Sequence, residues 1–63
     1  MRHTELRARL EAVLGREASS WSELFVITEL GSRTVDEALE DGVPPKQVWA
    51  AVWRVLELPE SAR

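Results

Sequence analysis

Cysteine is absent from this sequence. That removes disulfides and thiolate metal sites as means of stapling a small fold. Histidine occurs once, at His3 in the N-terminal arm. A zinc site would need further ligands, and a nucleophilic triad would need an interior histidine, so neither is expected. The three glycines, Gly15, Gly31 and Gly42, stand singly, whereas a phosphate-cradling loop needs several close together. No apolar run approaches the roughly 18 residues of a membrane span. The start of the chain, Met1 to Glu5, lacks the apolar stretch of a signal peptide. These absences predict a cytoplasmic protein with no catalytic residues, no cofactor, no metal and no membrane partner.

What is present is short and rich in tryptophan. The 63 residues make one expected domain, 1–63, with three Trp among its large apolar side chains. A chain of this size buries only about 60% of its unfolded surface, so caps and packing must add to a thin margin. The net charge of −3 is unevenly spread. Residues 1–16 hold four Arg against two Glu, and residues 17–41 hold seven acids against one Arg. The acidic group Asp36, Glu37, Glu40 and Asp41 lacks the alternating ligand order of a calcium loop and reads as a solvated helix face.

The pattern predicts an all-α compact bundle of three to four short helices. Thr4 is the expected cap of the first, where Leu6, Leu10, Val13 and Leu14 form one stripe that ends at Gly15. Ser20 to Glu23 matches a capping box, predicting a second helix from Ser20 to Leu30 with Gly31 closing it. Trp21, Leu24, Phe25 and Thr28 would share one face and Val26, Ile27 and Leu30 the other. Such a helix is sandwiched between neighbours and would be the hub of the core, so Leu24 and Phe25 are expected to be buried. Thr34 to Glu37 is a second capping box, opening a short helix with Val35, Ala38 and Leu39 inward. Pro45 suits the first position of a last helix, expected to reach Glu57. There Val48, Val52, Val55 and Leu56 centre the inner arc. Leu58-Pro59 would stop it, leaving Glu60 to Arg63 as a frayed tail.

Ala38, Gly42, Val43 and Val48 follow the spacing of a helix-turn-helix, so the last two helices are expected in that arrangement. Its recognition face would present Lys46, Trp49, Ala50 and Trp53, with one base among them, which disfavours nucleic-acid reading. Trp53 falls about 140° from Val48 at 100° per residue, at the edge of the inner arc, with Lys46 and Glu57 flanking the strip beyond it. An aromatic anchor with a polar rim fits a protein contact, while a side chain lidding the edge of a small core is the other reading of Trp53. Trp21 and Trp49 read most simply as core residues with their indole N–H near the surface. The candidate partner-binding residues are therefore Trp53, Lys46, Glu57 and Trp49. The leading expectation is a small non-enzymatic protein-interaction module or regulator, a monomer or weak homodimer. The alternative is a minimal DNA-associated helix-turn-helix-like protein using Arg2, Arg7, Arg9 and Arg16.

Met1-Arg2-x-Thr4, the run Leu30-Gly31-x-Arg33-Thr34-Val35-Asp36-Glu37-Ala38-Leu39, then Gly42, Pro45 and Val48-Trp49 together carry a resemblance. The chain resembles a family of short actinobacterial proteins known as domain of unknown function 3046. The likeness spans the chain and is most specific from Leu30 to Trp49. Leu6 stands where an aromatic is usual, Pro44 where an Asp cap is common and Trp53 where a Cys is typical, so the family pattern assigns no role to Trp53. The resemblance implies a bacterial cytosolic helical protein and carries no activity with it.

Overall fold

A computed structural model describes residues 1–62; Arg63, the last residue of the expected tail, lies outside the described residues. Four α-helices follow one another: α1 (His3–Leu14), α2 (Ala18–Leu24), α3 (Val35–Glu40) and α4 (Pro45–Val55). Single 3₁₀ turns at Gly15–Glu17, Thr28–Leu30 and Glu60–Ala62 complete the chain. The fold is all-α, and its only extended pairing among the described residues is an isolated antiparallel bridge between Ile27 and Arg33.

The core is shared by α1, α3, α4 and the loop after α2. Leu6 and Leu10 of α1 meet Val48, Ala51 and Val52 of α4, with Val35 and Ala38 of α3, Ile27 and Leu30 of the loop, and Ala18 beside them. These helices cannot form stably alone at such lengths, so their apolar stripes must pack to hold them. α1 begins one residue before the expected Thr4 cap. Arg2 is its extended N-cap residue, and the Leu6 N–H closes the first turn on the Arg2 carbonyl at 3.0 Å.

The expected hub helix is the principal correction. α2 starts at Ala18, so Ser20 lies inside it and caps nothing. It stops at Leu24, where Phe25 turns to extended backbone with φ −81° and ψ 115°. Val26 and Ile27 are consecutive β-branched residues, which favour that extended geometry. The Ile27 N–H donates to the Arg33 carbonyl at 2.9 Å, closing a loop around the Thr28–Leu30 turn. Ile27 and Leu30 reach the core, but Leu24, Phe25 and Val26 do not: they are 76%, 43% and 54% exposed. Gly31 is needed in this loop for its φ of +74°, which L-residues rarely adopt. The neighbouring Arg33 guanidinium donates to the Leu30 carbonyl and pairs with Asp41 at 2.8 Å.

The second capping box forms as expected. The Glu37 N–H donates to Thr34 Oγ1 at 3.2 Å, and the Thr34 N–H donates to Glu37 Oε1 at 2.9 Å. Both α3 and α4 end in the same two-bond C-terminal motif. After α3, the Gly42 and Val43 N–H groups donate to the Leu39 and Ala38 carbonyls. After α4, which ends two residues short of the expected Glu57, the Glu57 and Leu58 N–H groups donate to the Arg54 and Trp53 carbonyls. The left-handed position is a glycine in the first case and a glutamate with φ +52° in the second. An L-residue in that region costs about 1–2 kcal/mol, which glycine avoids. Glu57→Gly is therefore expected to stabilise the domain by about 1 kcal/mol, raising the melting temperature by about 4–8 °C in a circular-dichroism melt.

Candidate interaction surfaces

The residues singled out on α4 do not form one site. Lys46 at its start, with Trp49, Ala50, Trp53 and Arg54, lines a cleft of about 410 Å³ against Met1, Glu5 and Arg9 of the N-terminal segment. Glu57 lies outside it, beyond the helix end, at the left-handed residue of the C-terminal motif. Eleven positions separate Lys46 from Glu57, which at 1.5 Å rise per residue is about 16 Å along the axis. They are not two rims of one anchor.

Neither tryptophan of the cleft stands free. Trp49 is only 3% exposed, so it is a core residue and not an outward member of a recognition face. The Arg9 guanidinium lies over its ring at 5.6 Å, within cation–π range. The Trp49 indole N–H donates to the Ala62 carbonyl at 3.1 Å, and that of half-buried Trp53 donates to the Pro59 carbonyl at 2.9 Å. The two indoles thereby fasten the Glu60–Ala62 turn back along α4. This replaces the expected frayed tail over the described residues.

A second surface comes from the end of α2. Trp21 on α2 and Phe25 just past its end stack with ring centroids 5.0 Å apart and planes 15° from parallel. With Leu24, Ser20 and Glu17 they line a shallow depression of about 430 Å³, and exposed Val26 follows directly. Three consecutive large apolar side chains thus face solvent. The ledge exists because α2 ends where it does.

A family model described as "Protein of unknown function (DUF3046)" matches residues 1–61. The chain belongs to this family. No curated protein and no solved structure matches it.

In this DUF3046 chain the segregated charge is used largely between elements. Arg7 of α1 pairs with Asp36 of α3 at 2.7 Å and also donates to the buried Ser22 hydroxyl of α2 at 3.2 Å. Arg54 of α4 pairs with Glu29 at 2.8 Å, and Arg9 pairs with Glu5 at 3.4 Å. Two members of the would-be DNA-binding arginine group, Arg7 and Arg9, therefore have intramolecular partners. The acidic group is likewise divided: Asp36 and Asp41 pair with arginines, and Glu37 completes the capping box. Among the described residues no group of three or more His, Asp or Glu side chains is placed to hold a metal ion, and no helix is long and apolar enough to cross a membrane. His3 is exposed at the start of α1.

Proposed function

We propose that this DUF3046 protein is a small non-enzymatic interaction module, and that its partner docks on the ledge of Trp21, Leu24, Phe25 and Val26. One observation carries the reading: Leu24, Phe25 and Val26 are 76%, 43% and 54% exposed in succession. Full burial of such a side chain contributes about 1.5–3 kcal/mol, stabilisation that a small domain would otherwise gain from its own core. Contiguous exposed apolar residues of this kind mark association surfaces. The cleft at Trp53 and Lys46 is the weaker candidate, since its tryptophans already hold the C-terminal turn. Supporting the non-enzymatic side, His3 is solvated, the Thr34 hydroxyl caps α3 and the Ser22 hydroxyl donates to the Ser19 carbonyl.

The test is a photoreactive phenylalanine analogue in place of Phe25. A defined adduct with another protein is expected, competed by the untagged wild-type chain and not by a Leu24→Ser/Phe25→Ser variant. That variant should still melt cooperatively, with the loss confined to about 0.5–1.5 kcal/mol for the Trp21–Phe25 stack. An equal adduct yield from the analogue at exposed Val13, or full competition by the double variant, would contradict the assignment.

A further inference from the structure

The Pro59–Ala62 segment is fastened differently from the helices. Leu58 at its base packs against the core, and the Leu58 N–H closes the end of α4 on the Trp53 carbonyl. Beyond Leu58, the side chains of Pro59, Glu60 and Ser61 are exposed and so bury little apolar surface. Two indoles one turn apart on α4 hold the main chain instead: Trp53 donates to the Pro59 carbonyl and Trp49 to the Ala62 carbonyl. The Trp53 bond is solvent-exposed. Nor does the segment close tightly on α1, because a hollow of about 320 Å³ lies among Ser61, Ala62, Trp49 and the α1 residues Arg9, Ala12 and Val13. Little buried apolar surface and exposed hydrogen bonds are the marks of a region that opens ahead of global unfolding.

We infer that Pro59–Ala62 is a strap that lifts about Leu58 as a local unit while the four helices stay folded, and that lifting it unmasks the indole donors of Trp49 and Trp53. The hollow beneath the strap shares Arg9 and Trp49 with the Lys46–Trp53 cleft, so the lifted state has one groove running between α1 and α4. Its two free indole N–H groups keep the spacing that a peptide main chain satisfies in the closed state. A minor conformer of this kind is a concealed site, present in the fold and covered by the chain itself. No residue of the strap belongs to the ledge, so the two surfaces stand or fall separately.

The experiment follows hydrogen exchange in the ¹⁵N-labelled full chain, without denaturant and at denaturant well below the unfolding midpoint. Three signals report on the strap: the Ala62 amide, which donates to the Pro59 carbonyl at 2.9 Å, and the indole N–H groups of Trp49 and Trp53. The amide of fully buried Val52 reports on α4. Relative to their unprotected rates, the three strap signals are expected to exchange at least about tenfold faster than Val52. Low denaturant should leave them unchanged while Val52 accelerates. Pro59→Gly keeps the acceptor carbonyl and touches no core residue but gives the lifted strap more backbone freedom. It should speed the strap signals about two- to fivefold and leave Val52 as it is. Trp53→Phe deletes the exposed latch, and should speed exchange at the Ala62 amide and the Trp49 indole about two- to tenfold more than at Val52. Strap signals that match Val52 in rate and denaturant dependence would overturn the inference, because the turn would then open only with the whole fold. An Ala62 amide that exchanges early while the Trp49 indole keeps the Val52 rate would also overturn it, since the turn would fray without unmasking that donor. So would a Trp53→Phe variant in which the strap and Val52 accelerate equally.

Discussion

Leu6→Ala is expected to leave the domain largely unfolded at 37 °C. Leu6 is fully buried in α1 and packs in the cluster with Val48, Val52 and Val35. Truncating a buried leucine costs about 2–5 kcal/mol, the spread depending on how far the site can collapse around the void. A domain of 63 residues has about 3–9 kcal/mol in total at 0.05–0.15 kcal/mol per residue. The check is a circular-dichroism melt, in which the midpoint should fall by at least about 8 °C at about 4–8 °C per kcal/mol. Leu24→Ala, the same chemical change on α2, should barely move it. Equal losses at the two positions would mean that the ledge is part of the core.

Trp49→Ala is the second large expected effect, about 3–5 kcal/mol for a buried aromatic. Trp49 joins three parts of the molecule at once. Its ring belongs to the core, its face receives Arg9 of α1, and its N–H holds the C-terminal turn through Ala62. Trp49→Phe separates these roles, because it keeps much of the ring and deletes the donor. That variant should lose about 0.5–1.5 kcal/mol for the hydrogen bond, plus the unfilled indole volume, and should still melt cooperatively. Hydrogen exchange in residues 60–62 should accelerate in Trp49→Phe before the helices are affected. A Trp49→Ala variant that melted like wild type would show that this indole is not a core residue.

The sequence made the helices that carry their own punctuation legible. Thr34 with Glu37, Gly42 after α3 and Pro45 at the start of α4 each have a local physical cause, and each stands where that cause places it. The inward arc of α4 likewise follows from helical spacing, with Val48 and Val52 fully buried. The segment from Ser20 to Leu30 was misleading for an identifiable reason. Its apolar residues surround a helix wheel on both sides, which reads as a buried helix. The same residues also fit a short helix followed by an extended step, in which Ile27 turns inward while Val26 turns out. Two adjacent β-branched residues at Val26-Ile27 were the local signal for the second reading. The deciding contact, Ile27 with Arg33, is a pairing across a loop and has no periodicity to reveal it.

The candidate residues on α4 show the same limit. Angular position around a helix identified Trp53 as an edge residue, and it is half-buried. Position around a helix says nothing about what a following segment lays over that edge. Pro59 and the Glu60–Ala62 turn supply the carbonyls that take up both indole donors. Helical spacing does not apply to Glu57, because the backbone there is already left-handed. The ledge of Leu24, Phe25 and Val26 has no signal of its own, since apolar side chains on a helix wheel look the same whether they face a core or a partner.

Solvent contact at individual methyl groups separates the core from the ledge residue by residue. A soluble gadolinium chelate broadens methyl signals according to their distance from water, and Leu and Val methyls report on both core and ledge. Strong broadening is expected at Leu24 and Val26, and protection at Leu6, Leu10, Val48 and Val52. Leu24 and Val26 methyls as protected as those of Leu6, in a dilute monomeric sample, would contradict it and return the second segment to the core.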